Sequence, residues 1–87
     1  MIQVRKIDET TFAVTVTART KTDHRITVDP AYHKKLTDGR ISAEALVKKS
    51  FEFLLEREPN TSILKEFDLP TINRYFPEYE TTIRKML

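Results

Sequence analysis

The chain is 87 residues long, enough for one domain and too short for two. Its apolar share of 39% lies below the usual ~45–50% and its charged share of 32% lies above the usual ~25%, which suits a small body with much surface or a protomer whose core a partner completes. No cysteine is present, which excludes disulfides, thiolate zinc sites and thiol nucleophiles, and a single glycine cannot build a glycine-rich phosphate loop.

The net charge of +2 divides into +4 over residues 1–49 and −2 over residues 50–87, so the front half is mildly basic and the back half mildly acidic. A nucleic-acid-binding domain is usually more lopsided. No apolar run approaches the ~18 residues of a membrane span. The first residues, Met1-Ile2-Gln3-Val4-Arg5-Lys6, alternate and carry charge, unlike a signal peptide. The expected location is the cytoplasm, where small domains do without disulfides.

Residues 1–28 read as a β-meander of two or three antiparallel strands. Phe12, Val14, Val16 and Ala18 alternate with Thr11, Ala13, Thr15 and Thr17, a period of two with one wet, threonine-rich face. Asp8-Glu9-Thr10 reads as a turn and Arg19-Thr20-Lys21-Thr22-Asp23 as a polar break, after which Ile26 and Val28 resume the pattern. A bare hairpin is marginal in water, so the other face must pack on helices.

Residues 29–58 read as a helical hairpin. Asp29-Pro30 starts a short helix over Pro30–Thr37, and Gly39 suits a left-handed cap. Ser42 caps the main helix, Ala43 to about Glu58, with Ile41 and Leu46 spaced for a hydrophobic staple. The apolar set Leu46, Val47, Phe51, Phe53, Leu54 and Leu55 is wider than one stripe. Such a helix is covered on two sides, by the strands and by either the C-terminal segment or a second subunit.

Residues 59–87 are punctuated by Pro59, Pro70 and Pro77 and read as short helices over Ile63–Phe67, Thr71–Phe76 and the stretch after Pro77. The expected architecture is therefore α+β: a short meander, one long helix and proline-punctuated helical pieces, all in a single domain.

No catalytic, cofactor or metal site is expected. His24 and His33 fall on different elements without metal-ligand spacing and read as surface imidazoles. Arg19, Lys21, His24 and Arg25, then His33, Lys34, Lys35 and Arg40, form either a solvated face or a weak phosphate-binding patch. Arg74, Glu78 and Glu80 lie among aromatics and read either as charges rimming an aromatic seam or, with Arg74, Tyr75, Phe76 and Tyr79, as a docking surface for a partner, where Tyr, Phe and Arg are common anchors.

Two resemblances add to this. Arg25-Ile26-Thr27-Val28-Asp29-Pro30, with Leu36, Gly39, Ser42, Leu46-Val47 and Phe53-Leu54-Leu55, resembles a ribbon-helix-helix unit over residues 24–58. That resemblance implies a dimer whose paired strands enter the DNA major groove, with Lys21, Arg25 and Thr27 toward DNA and the helix start at Ser42 on a phosphate. Phe51-Glu52-Phe53-Leu54-Leu55-Glu56-Arg57-Glu58-Pro59-Asn60-Thr61-Ser62-Ile63-Leu64, followed by Phe67-Asp68-Leu69 and Arg74-Tyr75-Phe76-Pro77-Glu78-Tyr79-Glu80, resembles a set of small uncharacterised bacterial proteins over residues 50–80. It implies no assigned activity. The leading expectation is a non-enzymatic binding or regulatory protein acting through protein–protein contacts or as a homodimer. The alternative is the dimeric DNA-binding ribbon.

Overall fold

The computed structural model describes residues 1–87. Three strands, β1 (Ile2–Lys6), β2 (Thr11–Thr17) and β3 (Lys21–Thr27), are followed by helices α1 (Pro30–Thr37) and α2 (Ala43–Leu55). A 3₁₀ turn at Asn60–Ser62 leads to β4 (Glu66–Asp68), then α3 (Pro70–Tyr75) and α4 (Tyr79–Lys85). The class is α+β, but the sheet has four strands, in the order β1-β2-β3-β4.

The meander is antiparallel, with Val4 opposite Val14 and Val14 opposite His24. Its first turn is held by the Asp8 carboxylate, which accepts from the N–H groups of Thr10 and Thr11 at 2.9 Å each. Those bonds, the one from Thr10 first, hold the carboxyl below its ordinary value. The polar stretch Lys21–Asp23 is strand rather than a break. Its outward Asp23 accepts from the Thr15 hydroxyl at 2.7 Å, and its inward side is satisfied by groups described below.

β4 corrects the expected helix over Ile63–Phe67. It joins β3 in parallel, with Arg25 opposite Glu66, Ile26 opposite Phe67 and Thr27 opposite Asp68. Parallel neighbours need a long crossover, and α1 and α2 supply it. The local sequence suits a capped helix, but the ladder to β3 and the stacking of Phe67 on Phe51, centroids 6.2 Å apart, decide the outcome.

Both edges of β3 are thus occupied within the chain, and the intermolecular ribbon implied by the ribbon-helix-helix resemblance has no free edge at this strand. The helices also depart from one long element with fragments. α2 has 13 residues against 8, 6 and 7 in α1, α3 and α4, and it stops at Leu55. Its start is as expected, with the Ser42 hydroxyl accepting from the Ala45 N–H at 3.1 Å. The turn after α1 puts two residues in the left-handed region, Asp38 at φ 54° and Gly39 at φ 75°.

The inner face of the sheet, led by Phe12, Val14, Val16 and Ile26, meets the helices in one core of 16 buried residues. Leu46, Val47, Phe51, Phe53 and Leu54 of α2 are all inside it, so the chain covers the helix by itself and no second subunit is needed to complete it. Tyr79 is fully buried at the start of α4. Its hydroxyl lies 2.6 Å from that of Ser50, which donates to the Leu46 carbonyl at 2.8 Å. The Tyr79 O–H is therefore the donor to Ser50.

Two substitutions separate these contributions. Phe51→Ala should cost about 3–5 kcal/mol. Tyr79→Phe, which loses one hydrogen bond and leaves Ser50 bonded to Leu46, should cost about 0.5–1.5 kcal/mol. Urea denaturation of both variants checks the ranking; equal losses would mean that the Tyr79–Ser50 bond or the Phe51 packing is misjudged.

Candidate docking groove

The segment after α2 is pinned at its start. Arg57 donates to the Phe53 carbonyl at 3.0 Å and to Glu78 at 3.1 Å, and its guanidinium lies 3.6 Å from the centre of the Phe53 ring. Pro59 then turns the chain, and buried Asn60 reaches back to the sheet. Its amide donates to the Thr20 carbonyl at 2.7 Å and to the Thr22 hydroxyl at 2.9 Å.

His24 completes this link. Far from being a surface imidazole, it is buried on the inner face of β3, with its ring 5.2 Å from that of Phe51. Nδ1 lies 2.8 Å from the Leu64 carbonyl and Nε2 lies 2.9 Å from the Thr22 hydroxyl. A carbonyl only accepts, so Nδ1 carries the proton in the neutral ring, and Nε2 accepts from Thr22. The Thr22 oxygen in turn accepts from Asn60, and every buried side-chain polar atom has a partner. No carboxylate bonds to this imidazole. His33 is likewise spent on structure, 2.7 Å from the Ile41 carbonyl.

These ties fasten residues 60–64 to the start of β3, beside the end of α2 and α3. A groove of about 180 Å³ opens between them. Leu54, Ile63 and Ile72, all buried, form its floor. Leu64, 47% exposed, and Tyr75, 67% exposed, stand at its rim. The Thr71 hydroxyl bonds to the Asp68 carboxylate and joins α3 to β4.

Glu58, half-buried in the groove wall, forms no ion pair. Burial alone pushes its carboxyl above the ordinary glutamate value of 4.5. The adjacent cation, Arg57, is already engaged by Glu78.

The residues read from the sequence as a docking surface are only partly brought together. Tyr75 and Phe76 line the groove, Arg74 is exposed outside its lining, and Tyr79 is a core residue. Glu58, Leu54, Ile63, Leu64 and Ile72 were not legible as a group, because the cavity exists only once β4 is paired. The candidate phosphate contacts do not converge either. Lys21, Arg25 and Thr27 project from the open outer face of the sheet, whereas Ser42 belongs to the helical layer and its hydroxyl is used by its own cap. On that outer face Arg5, Lys21 and Arg25 alternate with Asp23, Glu66 and Asp68, so no single-sign field forms.

No helix is long and apolar enough to cross a membrane. No family model, no curated protein and no solved structure matches the chain.

Asn60→Ala should cost about 1–3 kcal/mol, since it strips a donor from a part-buried network. It should also speed hydrogen exchange at the Arg25 amide, which bonds to the Lys65 carbonyl at 2.7 Å. Unchanged exchange there would contradict the proposed tie. For Glu58, the folded chain holds the proton more tightly than the unfolded chain, so stability falls as pH rises from about 4.5 through the raised folded value. Glu58→Gln should therefore stabilise the protein at pH 7, by less than about 1 kcal/mol for a half-buried group that solvent still reaches. The gain should vanish below pH ~4. Thermal unfolding at the two pH values reads both, and a destabilised variant at pH 7 would refute the assignment.

Proposed function

We propose that the chain is a small non-enzymatic binding module that takes an apolar side chain of a partner protein into the groove between residues 58–67 and α3. One observation carries this reading: the groove is an apolar hollow whose rim residues, Leu64 and Tyr75, are two of the chain's four exposed large hydrophobics. The other two, Met1 and Ile7, flank β1 and do not line this groove.

Size favours a side chain over a small-molecule ligand. Ligand sites usually span about 300–1,000 Å³. A cavity of about 150 Å³ holds a benzene ring. At about 180 Å³ the groove suits one aromatic or large aliphatic residue. Tyr75 is an apt rim contact, since tyrosine offers large apolar area for little conformational entropy. The floor residues are held by the core and by the Asn60 and His24 ties, so the hollow is preformed and binding loses little to ordering.

Random 12-residue peptides displayed on phage provide the test. Selection on the immobilised chain should return peptides that share a large apolar residue, and Tyr75→Ala should weaken them about tenfold or more. Tyr75 is largely exposed, so this variant keeps the fold. Failure to select any peptide, or peptides indifferent to Tyr75→Ala, would overturn the reading.

A further inference from the structure

We propose that the groove is selective for charge as well as shape: its occupant is a peptide segment that sets a lysine or arginine beside the apolar anchor, with Glu58 as the counter-ion. The inference rests on the docking reading above and adds the chemistry of the partner.

Glu58 has no cation paired to it. A carboxylate part-buried against apolar surface is costly unless paired. Part-buried Glu80 accepts from the Tyr32 hydroxyl at 2.8 Å and exposed Glu78 accepts from Arg57, whereas part-buried Glu52 and Glu58 have no protein partner. Glu58 alone lines the groove without a partner, at the point where α2 has ended and the chain turns at Pro59. Arg57, its neighbour, faces the Phe53 ring and Glu78 and is already used. The other ionisable groups next to the groove in sequence, Lys65, Glu66, Asp68 and Arg74, do not line it.

A neutral or acidic occupant would seal Glu58 away from water and raise its cost further. A cationic residue beside the anchor offsets that cost, and it does so inside a site with low-dielectric walls, where charge pairing counts for more than on open surface. The same carboxylate repels an acidic segment, so attraction and repulsion both sharpen the choice.

The test uses three capped dipeptides, N-acetyl-Phe-Arg-amide, N-acetyl-Phe-Gln-amide and N-acetyl-Phe-Glu-amide, titrated into the isotope-labelled full chain and followed by amide chemical shifts. All three should perturb Leu64, Ile72 and Tyr75, with affinity falling in the order Arg, Gln, Glu by about threefold or more at each step. Glu58→Gln should level the series, and Glu58→Lys should reverse it. Lowering the pH until Glu58 is protonated should abolish the Arg advantage. Equal affinity for the three peptides at the groove would overturn the charge selection and leave the docking reading standing. No perturbation of the groove by any of them, or shifts confined to the outer sheet face, would overturn both.

Discussion

Everything distinctive about this fold depends on how residues 60–68 are fastened to β3. Asn60 and His24 supply the polar half of that joint, through the Thr20 carbonyl, the Thr22 hydroxyl and the Leu64 carbonyl. Phe67, stacked on Phe51, supplies the apolar half. The joint converts a three-stranded meander into a four-stranded sheet with a parallel edge. It also places the segment beside α3, and residues of both line the groove. Polar groups buried in this way cost little while all are satisfied, and much when one is lost, which makes the joint specific as well as stabilising.

The frame was legible because its local signals agree with its tertiary ones. The alternation over Phe12–Val16, the Asp29-Pro30 start of α1 and the Ser42 cap of α2 each follow from backbone chemistry within a few residues. What the sequence hid lies where local and tertiary preferences part. Asn60-Thr61-Ser62 resembles a helix cap, yet Asn60 spends its amide on a strand 38 and 40 residues away. Lys21-Thr22-Asp23 resembles a polar turn, yet Thr22 faces inward because Asn60 and His24 are there to bond it. His24 looked solvent-facing because the carbonyl that meets it, at Leu64, is 40 residues distant.

The candidate site was half legible for the same reason. Tyr75 and Phe76 stood out as aromatics among charges, and they do line the groove. Tyr79, equally conspicuous, is a core pillar bonded to Ser50, and burial pushes its phenol well above the ordinary tyrosine range. Periodicity cannot tell a tyrosine that anchors a partner from one that anchors a core. Glu58 carried no signal at all, because nothing in sequence marks a carboxylate as lacking a partner. It lines the groove with no cation paired to it.

The central claim is that an apolar hollow stands open and preformed between the 58–67 segment and α3. The most direct measurement is a methyl-detected NMR titration of the whole chain with phenol, a probe the size of one aromatic side chain. The account predicts saturating shifts confined to the methyls of Leu54, Ile63, Leu64 and Ile72, with the sheet methyls of Val14 and Val16 unmoved. Absent, non-saturating or evenly spread shifts would contradict it.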